Sequence, residues 1–197
     1  MPYSKYTDWE YFSERLGIEF ESIIDLIKPQ SIEPSEILKL TLETAPLFPL
    51  GTDKAKTEQY LVPILAEIVR RNGGKWAPYS GFTFNVDEAY DLTGVCDFLI
   101  GTKFSDTVVL SPILAVVEAK KDDIYAGEAP CAATMEAIRR FNLKHGKVLP
   151  HIWGSVTTGF DWRFMQLKDN KVYLERKIFQ IHELPQLLGA LQYIADN

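Results

Sequence analysis

Three charged side chains stand where a buried strand should be apolar. The octapeptide VVEAKKDD, residues 116–123, sets Glu118 and Lys120 on either side of Ala119, directly after Val116 and Val117. Alternate side chains of an extended chain share a face, so this carboxylate and ammonium project together. The segment GVCDFLIG places Asp97 among valine, cysteine, phenylalanine, leucine and isoleucine, where an acid is out of keeping with burial statistics. If the two segments pair as a hairpin, Asp97 and Glu118 lie side by side. Two buried carboxylates repel, and one retains its proton unless a cation neutralises them. A divalent ion does so, and a few hard oxygen ligands that leave room for water and phosphate describe a magnesium site. Lys120 is placed to hold a water or to stabilise charge developing on a phosphate oxygen. Metal-assisted phosphodiester hydrolysis asks for this set. The alternative is a structural ion pair between Lys120 and either acid.

A third acid belongs to the preceding predicted helix, TEQYLVPILAEIVRRNGG. Its apolar residues at 61, 62, 65, 68 and 69 form one face. Glu58 precedes Leu61, Val62 and Leu65 by three, four and seven positions and so lies in line with that stripe. Glu67 falls on the opposite side and reads as solvent-facing. Pro63 kinks this helix or delays its start, and Gly73 and Gly74 close it. Two decoys need separating. Asp169–Lys171 spans the turn signal KDNK. Glu175–Lys177 ends a strand of mixed character, as on a half-exposed sheet face.

The elements that must position these residues follow from periodicity. Residues 8–26 and 34–43 are predicted helices, and APLFPLGTDKAK is a loop. After Gly74 the period changes to 2: GFTFNV, LTGVCDFLIG and PILAVVEAK are strands joined through TKFSDTVVLS. A helix over 129–143 follows, then VLPHIWGSVTTG, DWRFMQL, the turn KDNK, VYLERKIF and a helix over 184–194. This order predicts an α/β layered sheet with helices on both faces. At 197 residues the chain is read as one domain, 1–197. Residues 1–45 are a helical extension packed on it, or else an arm for a partner or substrate.

Composition narrows the function. A net charge of −6 weighs against non-specific gripping of nucleic acid as the main task. Local cations remain candidates for phosphate contacts: Lys121, Arg139, Arg140 and Lys144. The last three, with His145 and Lys147, read equally as a solvated helix end. The polar, acidic N-terminal stretch is unlike a secretory signal and no apolar run is long enough to span a bilayer, so a cytoplasmic protein without membrane contact is expected. Cys96 and Cys131 read as buried thiols. No P-loop, G-x-S-x-G or H-E-x-x-H pattern is present.

A helix glutamate, an aspartate within a strand and Glu118-Ala119-Lys120 ending the next strand resemble, in that order, the PD-(D/E)XK nuclease superfamily. GVCDFLIG, VVEAKKDD and IWGSVTTGFDW further resemble small restriction-endonuclease-like proteins, over roughly residues 57–167. The resemblance implies a restriction-endonuclease-like mixed β-sheet flanked by helices. It also implies Mg²⁺ or Mn²⁺ dependence and DNA endonuclease activity. Asp97 is then the motif aspartate, Glu118 and Lys120 are the (D/E)-x-K pair, and Glu58 is the helix acid. Ala119 adds its backbone carbonyl to the metal. Many similar enzymes act as homodimers. The chain departs from the pattern in two places. Val95-Cys96, not proline, precede Asp97, and Pro130, Ala133 and Thr134 stand where the following helix of similar proteins often carries Gln or Glu. An inactive nuclease-like fold that binds nucleic acid or protein is the alternative.

Overall fold

The computed structural model describes residues 2–120 and 122–197. Chain order gives α1 (Trp9–Leu16), β1 (Glu19–Ile23), α2 (Glu36–Thr44), α3 (Asp53–Lys56) and α4 (Val62–Arg71). Next come β2 (Ala77–Thr83), β3 (Val95–Gly101), β4 (Ile113–Ala119) and α5 (Glu128–Lys144). The chain closes with β5 (Ile152–Thr157), β6 (Asp161–Lys168), β7 (Lys171–Glu175), β8 (Phe179–Gln180) and α6 (Leu184–Asp196).

The described strands form one mixed sheet in the order β1-β7-β6-β5-β4-β3-β2, with β8 beside β6. β4 and β5 are parallel, as are β1 and β7; the other pairs are antiparallel. Parallel neighbours need a crossover, and α5 supplies it between β4 and β5. Its small residues Ala129, Cys131, Ala132 and Ala133 are buried against Val116 and Val156 on one face of the sheet, together with Tyr6 and Phe12 from the N-terminus. On the other face α4 and α6 bury Leu61, Ile64, Ile68, Leu187 and Leu191 against Phe98, Val117 and Phe164. The α/β architecture with helices on both faces is therefore as the periodicity predicts. Among the described residues no helix is long and apolar enough to cross a membrane.

The first helix is shorter than expected. Asp8 caps it, its side chain accepting from the Tyr11 N–H, and Gly17 ends it at φ 67°, a left-handed conformation that glycine adopts without a Cβ penalty. Residues 19–23, expected to be helical, instead pair with β7 in parallel. The N-terminal region is thus built into the sheet and into the core on both of its faces. Between α3 and α4 the helix continues through a π-helical turn, Thr57–Leu61, with Pro63 in the first turn of α4. Proline has no N–H to donate, and π-turns are found where a helix ladder is interrupted in this way.

Candidate functional site

β3 and β4 pair antiparallel with Phe98 opposite Val117. One step further along the same register, Asp97 stands opposite Glu118, and directly opposed residues share a face. Val116 is buried on the α5 face, so Glu118, two positions on, projects to that face also. The ladder ends here. The Ala119 N–H donates instead to Asp97 Oδ2 at 2.8 Å. A strand residue turns its N–H and C=O to the same neighbour, which aims the Ala119 carbonyl toward β3 and Asp97. The Lys120 N–H bonds the Thr157 carbonyl of β5 at 2.8 Å, and its Nζ reaches Glu118 Oε1 at 3.0 Å. The Lys120 stem runs over Gly127, where a Cβ would lie 3.0 Å from Lys120 Cγ and 2.4 Å from Val156 Cγ1.

Electrostatics at this corner resist ionisation. Burial raises the Glu118 carboxyl above its ordinary range and the Asp97 charge raises it further, against the lowering effect of Lys120. Burial also raises Asp97, opposed by the Ala119 N–H and Lys120 and assisted by Asp53. Buried Cys96 and Cys131 nearby are pushed far up, first by desolvation and then by Glu118, so neither offers a thiolate. Among the described residues the carboxylates here outnumber the Lys120 ammonium that acts on both. Among the described residues no group of three or more His, Cys, Asp or Glu side chains could hold a metal. The donor set is two carboxylates and a carbonyl, all hard oxygen. Hard oxygen donors of this kind are those that Mg²⁺ or Mn²⁺ takes while keeping several waters.

Glu58 does not join this set. Its side chain is 56% exposed and faces Lys54 at 3.8 Å. The stripe that is buried runs through Tyr60, Leu61, Ile64, Leu65 and Ile68, while Val62 is exposed. Thr57, not Glu58, therefore lies one turn before Leu61 on the sheet-facing side. The helix acid nearest the site is Asp53, whose charge acts on Asp97. It shares a recess beside Lys120 with Lys56, Thr57, Thr157 and Gly159. Asp53 falls in the stretch expected to be a loop, although Thr52 directly before it is an N-cap signal, and the Thr52 side chain does accept from the Ala55 N–H.

Other expected residues are placed elsewhere. Glu67, read as solvent-facing, is buried and accepts from Ser35 Oγ at 2.7 Å and from Arg70 and Arg71 at 2.9 and 2.8 Å. Glu175, read as half-exposed, is buried and accepts from the Ile27 and Lys177 N–H groups. Asp169 does occupy a turn, at φ 53°. Arg139 and Arg140 pair with buried Glu136, and Arg140 also with Asp87. They lie three helical turns from the start of α5, about 17 Å at 1.5 Å per residue, and Lys144 lies further still. The structure does not bring these three cations to the acid pair. Lys121 lies outside the described residues.

Neither a scan against protein-family models nor searches of curated proteins and of solved structures finds a match for the chain.

Proposed function

We propose that this chain is a metal-dependent phosphodiester hydrolase of restriction-endonuclease-like fold, acting on DNA. One observation carries the reading: Asp97 and Glu118, opposed on adjacent strands, are raised by burial, and the Lys120 ammonium acts on both. Asp97, Glu118 and the Ala119 carbonyl would hold Mg²⁺ or Mn²⁺. When bound, such an ion polarises a phosphate and lowers the pKa of its water. The chain's own groups do the rest. Asp97, fixed by the Ala119 N–H, keeps one carboxylate oxygen for the ion. Glu118 Oε1 holds the Lys120 ammonium beside the acids, where it can orient a water or meet the charge that grows on a phosphoryl oxygen. Thr157, through its carbonyl, fixes the backbone from which Lys120 projects.

A second reading is a nuclease-like fold that binds without cutting. The acids of α5 favour it: Glu128 pairs with Arg163 and Glu136 with Arg139 and Arg140, so the helix after Lys120 adds no carboxylate to the site. Incubation of supercoiled plasmid and single-stranded DNA with Mg²⁺, Mn²⁺ or EDTA separates the two. Cleavage that needs the ion and falls at least 100-fold in Lys120→Ala, roughly the contribution of a positioned acid–base group, supports the hydrolase. Calorimetric Mn²⁺ binding that disappears in Asp97→Ala, without cleavage by the wild type, supports the binding-only reading. Cleavage that is indifferent to Lys120→Ala removes that lysine from the mechanism.

A further inference from the structure

Tyr125 opens the short 3-10 turn Tyr125–Gly127 that leads from the Lys120 segment into α5. The residue is 59% exposed, yet its position is tied down. Its N–H donates to Asp123 Oδ1 at 2.9 Å, and the Arg163 guanidinium lies under the ring, 5.2 Å from its centre. That distance is within the range at which a cation holds an aromatic face. Arg163 is fixed in turn. It lies 2.7 Å from Glu128 as a close ion pair, with side chains 12% and 7% exposed, and the other Glu128 oxygen accepts from Trp9 Nε1 at 3.0 Å. A nearly buried ion pair returns little stability for its desolvation. Here it places a cation against one face of the ring of a residue that is more than half exposed.

The segment that carries the ring runs beside Lys120 and the acid pair. Arg163 is opposite Val156, and Val156 is opposite Glu118, so two strand spacings, about 10 Å, separate the Arg163 and Glu118 backbones. Gly127, on which the Lys120 stem packs, is two residues from Tyr125. An open aromatic face beside a phosphodiester site accepts a nucleobase, because every base has a π-face. A base within a duplex has both faces covered by its neighbours, whereas an unpaired base can be splayed onto a side chain.

We infer that Tyr125 is a stacking platform for an unpaired base next to the phosphodiester held at Asp97, Glu118 and Lys120, so that the site's substrate is single-stranded nucleic acid or a duplex end or junction with a free base. This inference rests on the phosphodiester reading above, and its test keeps the two apart. Fluorescein-labelled dT20 and a 20-base-pair duplex are titrated with the protein in EDTA, so that nothing is cut, and anisotropy is read. Tyr125→Ala weakens dT20 binding roughly 5- to 100-fold, the worth of one stacked base. It leaves duplex binding unchanged, and Tyr125→Phe stays within about twofold of wild type, since phenylalanine keeps the ring. The inference is overturned if Tyr125→Ala, with native circular dichroism, binds dT20 as wild type does, if it weakens both probes alike, or if the wild type binds neither. Cleavage of the same oligonucleotides in Mg²⁺ is scored separately. Tyr125-dependent binding without any cleavage removes the hydrolase and supports the platform; Lys120-dependent cleavage with Tyr125-indifferent binding does the reverse.

Discussion

Glu118 is charged in a place that opposes charge. Burial and Asp97 both raise its carboxyl, so without a divalent ion the folded chain holds this proton more tightly than the unfolded chain does. The folded state then binds more protons than the unfolded one between the ordinary carboxylate range and the raised value. Stability therefore falls as pH rises through that window. Metal binding displaces the proton and strengthens across the same interval. Glu118→Gln removes the ionisation while keeping the shape. In EDTA it raises the thermal midpoint at neutral pH, by about 2–4 °C for each kcal/mol relieved in a chain of this size, and it flattens the decline above the ordinary carboxylate range. If the proposed site binds Mn²⁺, the ion shifts the wild-type midpoint upward and leaves that of Glu118→Gln unmoved. Melting curves in EDTA and Mn²⁺ check both points, and a lowered midpoint for Glu118→Gln in EDTA would mean that Lys120 alone compensates the charge.

The elements are tied to one another through single side chains. Glu67 pins α4 to the Ser35 N-cap of α2 and is itself held by Arg70 and Arg71. Burial raises its carboxyl, but the hydrogen bonds from Arg70, Ser35 and Arg71 outweigh this and bring it down to about 2. A depressed value stabilises the fold above the ordinary carboxylate pKa, and that contribution is lost as pH falls from about 4.5 towards 2. Glu67→Gln destabilises by about 2–3 kcal/mol at neutral pH, the cost of leaving its partners without a charge. Urea titrations at pH 7 and pH 3 check the sign, because the gap between wild type and variant narrows in acid. Gly189 offers a second test. In mid-helix, glycine to alanine usually gains about 1 kcal/mol, but here a Cβ would meet the Gln30 carbonyl oxygen at 2.1 Å. Gly189→Ala destabilises by about 1–3 kcal/mol through overpacking of α6 on the 29–32 segment. A stabilised Gly189→Ala in the same titrations would show that this segment yields. Element boundaries were legible where a glycine or a cap marks them and illegible where a neighbour decides. Residues 19–23 carry a pattern compatible with either period, and only β7 makes them a strand.

For the molecule as a whole, the cations beside the acid pair are few among the described residues. Lys56 and Lys120 line the recess, while Arg139, Arg140 and Lys144 sit at the far end of α5 and the first two are occupied by Glu136. With a net charge of −6, binding through two or three phosphate contacts has a shallow salt dependence. The slope of log K against log salt is about −1.5 to −2 for a single strand. Lys144→Glu leaves both the affinity and the slope unchanged, because that residue does not face the site. A slope steeper than about −4, or a loss of binding in Lys144→Glu, would place the nucleic acid along α5 instead. Anisotropy of the dT20 complex between 50 and 300 mM salt provides the measurement.

The sequence by itself determined the alternation of periods that makes an α/β sheet with helices on both faces, and it singled out Asp97, Glu118 and Lys120. Charges inside apolar runs are visible without coordinates, because their burial cost follows from their neighbours in the chain. Only the tertiary structure decided which face of the helix before β2 looks inward. The stripe there is set by a π-turn, a proline and the packing of Tyr60 and Leu61, so Glu58 faces water and Asp53 faces the acids. The same holds for the packing under Tyr125. It is assembled from Trp9, Glu128 and Arg163, residues as far as 154 positions apart, and pairwise distance across folded strands is not a property that local spacing can carry.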